Sequence, residues 1–146
     1  MTVLEPDEDL IVLAEALRPA LLRVSRQLRR EAQKAGVSII AAQLLGLIFK
    51  KPGIGGGELA ELEQMSAPSM SAHLKRLEAA GWIARDPARP DDRRRVGLRV
   101  TAAGAEALDA IRRRRNVWLA ARLEALTARE RRALAAAAEP LLRLSR

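Results

Sequence analysis

Gly81 divides two stretches whose apolar residues keep different periods, and that switch constrains the fold more than any other feature of the chain. Before it, Met70, Leu74 and Leu77 recur at the spacing of one helix face. After it, Val96, Leu98 and Val100 alternate, the period of a half-buried strand. Ser66-Ala67-Pro68 opens the helical stretch. Ser66 or Ala67 takes the cap position, and Pro68 fits the first turn, where a missing N–H costs nothing. Gly81 closes the helix as its C′ residue. A short strand, Trp82 to Asp86, follows at once. Pro87-Ala88-Arg89-Pro90-Asp91-Asp92 is turn chemistry, and Arg93-Arg94-Arg95 leads into the alternating strand. From Ser66 to Thr101 the predicted order is therefore helix, strand, basic tip, strand.

Two shorter helices are predicted ahead of this stretch. Ser38 caps the first, Ile39 to Phe49, whose core face is Ile40, Leu44, Leu47 and Ile48. Ile54 to Gly57 is a tight glycine-rich connection with a one-residue strand contact at Ile54. It is not a phosphate-binding loop, because no buried strand precedes it and no Lys-Ser/Thr follows it. Gly57 then caps a helix over Glu58–Met65, with Leu59, Ala60, Leu62 and Met65 inward. A short helix, a tight turn and a second helix opening on small polar residues form a helix-turn-helix. The hairpin behind it adds a wing. Small side chains at the start of the second helix allow close approach to base edges in a major groove, while Lys and Arg behind them meet phosphates. An arginine at a hairpin tip can enter a narrow minor groove, where the potential is most negative, and a neighbouring aspartate can orient it. Asp92 is the expected positioning residue and Arg94 the expected groove-entering one.

The flanks are long amphipathic helices. Asp7 to Ala35 carries Leu10, Leu13, Ala14, Leu17, Leu21, Val24, Leu28 and Ala32 at helical spacing, and Pro19 in its interior is expected to kink or split it. Thr101 caps a helix reaching about Leu126, with Leu108, Ile111, Leu119, Leu123 and Leu126 in its stripe and the run Arg112–Arg115 on its surface. Thr127 and Glu130 make a capping box for a last helix carrying Leu134, Ala138, Leu141 and Leu142, which Pro140 kinks or shortens. These helices are too apolar to stay exposed and too elongated to bury everything on the central module. The expected fold is mainly α: a winged helix-turn-helix at 38–101, flanked by dimerisation helices at 1–37 and 102–146.

Charge agrees with that division. The net charge is +8, yet residues 1–65 carry 8 basic and 9 acidic side chains. The surplus lies at 66–100, with 8 basic against 4 acidic, and at 101–146, with 10 against 5. A basic surface attracts polyanions, nucleic acid among them. The chain has no cysteine, so disulfides, zinc–thiolate sites and thiol-based sensing are excluded. No apolar run reaches the roughly 20 residues of a membrane span. The acidic start MTVLEPDEDL lacks a signal-peptide pattern, which gives a cytoplasmic expectation with no membrane partner. His73, the only histidine, sits mid-helix, and no carboxylate dyad or metal-ligand cluster appears at usable spacing. Neither an enzyme nor a cofactor is expected.

The segment Ser38–Gly104 resembles the MarR family of bacterial transcriptional regulators. The residues that carry the resemblance are Glu58-Leu59-Ala60, Leu77-Glu78-x-x-Gly81-Trp82-Ile83-x-Arg85, Asp92-Arg93-Arg94 and Leu98-x-Val100-Thr101-x-x-Gly104. The resemblance implies a repressor that binds a pseudo-palindromic site on double-stranded DNA as a homodimer. The expected DNA-contacting residues are Ser38, Ser69, Ser71, Ala72, Lys75 and Arg76 on the helices, with Asp92, Arg93, Arg94 and Arg95 at the wing. Ala72 stands where the family commonly has arginine, and Gly55-Gly56-Gly57 where it often has Ser or Thr. Some members release DNA on binding a small phenolic or anionic ligand between the DNA lobe and the dimer helices, and no residue here identifies such a ligand. The alternative reading is a helical dimer whose winged helix docks another protein. Exposed apolar residues at the wing and recognition helix would favour it.

Overall fold

The computed structural model describes residues 7–87 and 96–145. Six helices and one small sheet follow in the order α1 (Glu8–Lys34), α2 (Ile39–Lys50), α3 (Gly56–Leu62), α4 (Ala67–Ala79), β1 (Ile83–Arg85), β2 (Leu98–Val100), α5 (Ala102–Glu124) and α6 (Ala128–Leu144). β1 and β2 pair antiparallel, with Ile83 opposite Val100 and Arg85 opposite Leu98. Ile54 adds a single bridge to Leu98, as expected for that residue. Gly53 N–H donates to the Leu98 carbonyl at 2.8 Å and Leu98 N–H to the Ile54 carbonyl at 2.9 Å.

The main core lies inside the central module. Leu44, Leu45 and Ile48 of α2, Leu59 of α3, and Met70, Leu74 and Leu77 of α4 close on Ile54, Ile83, Leu98 and Leu108. A smaller core of Ala32, Val37, Ala42 and Ile111 joins α1 and α5 to α2. Trp82 packs against both, so one indole couples the module to its flanking helices. Arg115 reinforces the α1–α5 contact by donating its Nε to the Leu28 carbonyl at 3.2 Å. Burial, and then the nearby Arg29 charge, lowers the pKa of this guanidinium.

Several expectations are corrected. α1 runs unbroken through Pro19 and α6 through Pro140. Both prolines are solvent-exposed, so water can take the carbonyl that each leaves unpaired. α3 starts earlier than expected, with Gly55 rather than Gly57 at its cap, and ends at Leu62. It stops there because Gln64 adopts φ +51 and Met65 N–H turns back to the Ala60 carbonyl at 2.9 Å. Met65 therefore packs on the core while Leu62 stays 58% exposed. The buried face of α2 is rotated to Ala42, Leu44, Leu45 and Ile48, which leaves Ile40 outside. The strands are shorter than the alternation suggested, and α5 ends at Glu124 rather than Leu126. The flanks stay largely uncovered, in line with the expectation that they are too elongated to bury everything on the central module. Within one chain, α1 buries only Glu31 and Ala32, and α6 buries nothing.

Candidate nucleic-acid interface

α4 is built as a helix with one anchored face and one free face. The Ser66 hydroxyl accepts from Ser69 N–H at 3.3 Å, and Pro68 lies in the first turn. Met70, Leu74 and Leu77 are buried, which turns Ser69, Ser71, Ala72, Lys75 and Arg76 outward together. The far end is locked by a Schellman arrangement. Gly81, at φ +76, donates to the Glu78 carbonyl at 2.9 Å, and Trp82 N–H reaches the Leu77 carbonyl at 3.0 Å. The turn between α3 and α4 and the turn into β1 thus fix which side of α4 is presented.

Two other contacts hold the start of α5 against this turn. Thr101 Oγ1 donates to the Gly81 carbonyl, and Thr101 N–H donates to the Trp82 carbonyl at 3.0 Å. A Cβ at Gly104 would overlap the Trp82 carbonyl and sit 2.8 Å from Val100 Cγ1, so only glycine permits the approach.

Charge pairing sorts the basic residues of this lobe. Arg85 pairs with Glu78 at 2.5 Å, Arg99 with Asp86 at 2.7 Å, and Lys51 with Glu58. Among the described residues, Lys75 and Arg76 have no carboxylate partner, and both are exposed. Their positive charge is therefore available to an outside anion. Arg76 Nη1 lies 3.4 Å from His73 Nδ1, so the histidine borders this cationic site at its helix-facing side. Ser38 is exposed at the start of α2, where its hydroxyl caps the helix by accepting from Ala41 N–H at 3.1 Å. It shares with His73 and Arg76 a cleft of about 470 Å³ whose apolar wall includes Ile39, Ile40 and Leu77. The structure thus places Ser38 beside one end of the α4 surface, with its hydroxyl already engaged.

The expected wing residues Asp92, Arg93, Arg94 and Arg95 lie outside the described residues. The wing root is described. Asp86 N–H donates to the Gly97 carbonyl at 2.7 Å, and the Asp86 carboxylate holds Arg99. A Cβ at Gly97 would lie 2.8 Å from the Gly53 carbonyl oxygen and 2.9 Å from Asp86 Oδ2. This Asp86–Gly97–Arg99 root was not singled out from sequence. Its members meet only through the hairpin register, which one-dimensional spacing does not reveal.

Comparison with known proteins agrees with this geometry. The MarR family model matches residues 41–96. A Mycobacterium tuberculosis protein named as an HTH-type transcriptional regulator is 37% identical over 132 residues, covering 90% of this chain and 92% of that protein. A crystal structure of a Pseudomonas aeruginosa protein described as a transcriptional regulator superposes with a TM-score of 0.80. It has 30% identity and covers 97% of this chain and 99% of that one. A mutant of Staphylococcus aureus MepR bound to an oligodeoxyribonucleotide shares the fold, with a TM-score of 0.68 at 17% identity over 92% of this chain and 98% of that one. With an outward-facing α4, a two-stranded wing root and near-full-length relatives of this kind, the chain belongs to the MarR family of transcriptional regulators, DNA-binding winged-helix proteins.

Proposed function

We propose that the protein is a repressor that binds a pseudo-palindromic operator as a homodimer, with α4 in the major groove and the wing in the adjacent minor groove. The observation that carries this reading is the free face of α4. Ser69, Ser71 and Ala72 are small enough for close approach to base edges, and Lys75 and Arg76 pair with no carboxylate among the described residues. The α4 N-terminus carries the positive end of the helix dipole, which suits a phosphate. Arg94, oriented by Asp92 and flanked by Arg93 and Arg95, is the proposed minor-groove contact. Ser38 is proposed as a peripheral backbone contact. The described surface of α4 presents polar and cationic groups rather than apolar ones, which favours DNA over a docked protein.

The homodimer reading, with dimerisation helices at 1–37 and 102–146, rests on the described parts of these flanks, where exposed apolar side chains such as Leu10, Val12, Leu22, Val117, Leu134 and Leu142 exceed what one chain covers. Two copies would set their α4 helices about one DNA turn apart. The MepR mutant of the same fold is bound to an oligodeoxyribonucleotide, which supports DNA as the partner. Selection of bound sequences from random duplex DNA tests the whole reading. Recovery of a pseudo-palindrome with half-sites about one turn apart supports it, and recovery of no preferred sequence overturns it. The cleft shared by α2 and α4 is where a small-molecule effector would act. An occupant between Ile40 and Arg76 would change the position of the reading helix.

A further inference from the structure

We propose that Ala72 is the specificity-determining residue of α4 and that it selects thymine, through contact with the 5-methyl group in the major groove. This rests on the placement of α4 in the major groove given above and adds which base chemistry its centre takes.

The direction of each side chain follows from the buried face. Met70, Leu74 and Leu77 are buried and define the inward direction of α4. At about 100° per residue, Ala72 points roughly 170° away from their mean, so it heads the outward face. Ser69 and Arg76 lie on one side of it, and Ser71 and Lys75 on the other, all of them exposed. Each side thus carries one hydroxyl and one cation, while the middle carries a single methyl group. Arg76 does not fold back over that methyl. Its Nη1 lies 3.4 Å from His73 Nδ1, and it lines the cleft with Ile39 and Ile40 of α2. His73 lies farther round the helix than Arg76, so the guanidinium is drawn away from Ala72, toward the flank where a phosphate would pass.

A helix seated in a major groove brings its most outward residues nearest the base edges, and it reads them from its N-terminal half. Ala72 lies in that half of α4. Its side chain has no donor or acceptor, so it cannot choose a base by hydrogen bonding. Major-groove edges are polar except for one group, the 5-methyl of thymine. Thymine beneath Ala72 therefore buries a methyl against a methyl. Cytosine there would set its N4 donor, and guanine its O6 and N7 acceptors, near a group that cannot pair with them, with no apolar contact in return.

Selection from random duplex DNA supplies the operator. Duplexes in which thymine is replaced by deoxyuridine, one position at a time and in both half-sites together, then delete only the 5-methyl group. Fluorescence anisotropy titrations of the full-length protein should find one position where this change weakens binding by about fourfold per half-site, the effect of leaving one methyl group in water. Ala72→Gly should bind the thymine and deoxyuridine duplexes equally at that position and keep the parent's response elsewhere. The ratio is taken within one variant, so a loss of folded protein through the lower helix propensity of glycine cancels. Ala72→Arg, a change at an exposed site, should move the base selected at that pair from thymine to guanine. An operator with no deoxyuridine-sensitive thymine overturns the assignment. So does a sensitive position that persists in Ala72→Gly, or thymine still selected by Ala72→Arg. These outcomes leave α4 standing as the major-groove helix. Recovery of no preferred sequence overturns that placement, and the role of Ala72 with it.

Discussion

Thr101 Oγ1 lies 2.5 Å from the carbonyl oxygen of Gly81, so the residue that starts α5 is bonded to the residue that ends α4. The same oxygen accepts from Gly104 N–H at 3.1 Å and caps α5. One hydroxyl therefore serves a helix start and a helix stop that lie 20 residues apart in sequence.

Thr101→Val keeps the shape and removes both bonds. The expected loss of stability is about 1–3 kcal/mol, combining a lost cap with an unsatisfied carbonyl. Thr101→Ser should recover most of it. Urea unfolding of the three proteins checks this, and a Val variant as stable as the parent would show that neither bond matters.

Gly104→Ala asks for space already filled by the Trp82 carbonyl and Val100. The backbone must shift, and a cost of about 2 kcal/mol or more is expected despite the better helix propensity of alanine. Gly57→Ala, where nothing lies within 4 Å, is the control and should be close to neutral or stabilising. Thermal melts of the two variants compare them directly.

Leu98 is fully buried at the point where the hairpin, Ile54 and α2 meet. Leu98→Ala should cost about 2–5 kcal/mol. Calorimetry measures it. The same change should reduce DNA binding only in proportion to the unfolded fraction, because Leu98 itself reaches no surface.

Lys75→Ala and Arg76→Ala should each weaken DNA binding and reduce the salt dependence of log K by about one phosphate-equivalent. Arg94→Ala, at the proposed minor-groove contact, should also weaken binding and lower the slope by about one phosphate-equivalent. Ser69→Ala and Ser71→Ala should instead alter base preference with an unchanged salt slope. Titrations at several salt concentrations with operator and scrambled duplexes separate the two behaviours. Serine variants with parental base preference would move direct readout elsewhere.

How much of this was legible in the sequence varies by element. α4 was readable to its cap because Ser66, Pro68 and Gly81 are local signals and Met70, Leu74 and Leu77 lie on one face. The Thr127–Glu130 capping box was equally local. Ile54 could be placed as a bridge because the surrounding glycines left it alone as an apolar residue. The failures come from non-local causes. Ile40 and Leu62 carry the right period but face solvent, because α2 is rotated by its neighbours and Gln64 ends α3 early. Pro19 and Pro140 were expected to break helices, and exposure of their turns spares both. At the interface, α4 residues emerged from periodicity, whereas Asp86 and Arg99 required the hairpin register to meet.

The bond between Thr101 and Gly81, with Gly104 pressed on the Trp82 carbonyl, leaves the joint between α4 and α5 without slack. α5 is 23 residues long, about 34 Å at 1.5 Å per residue. Its start is therefore fixed beside the end of α4 while its far end lies well away from the module. A 10° tilt of α5 about this joint moves its distal end by about 6 Å over this length. The Thr101–Gly81 joint thus sets the direction in which the long helix leaves the module, and a small change there is magnified at the far end.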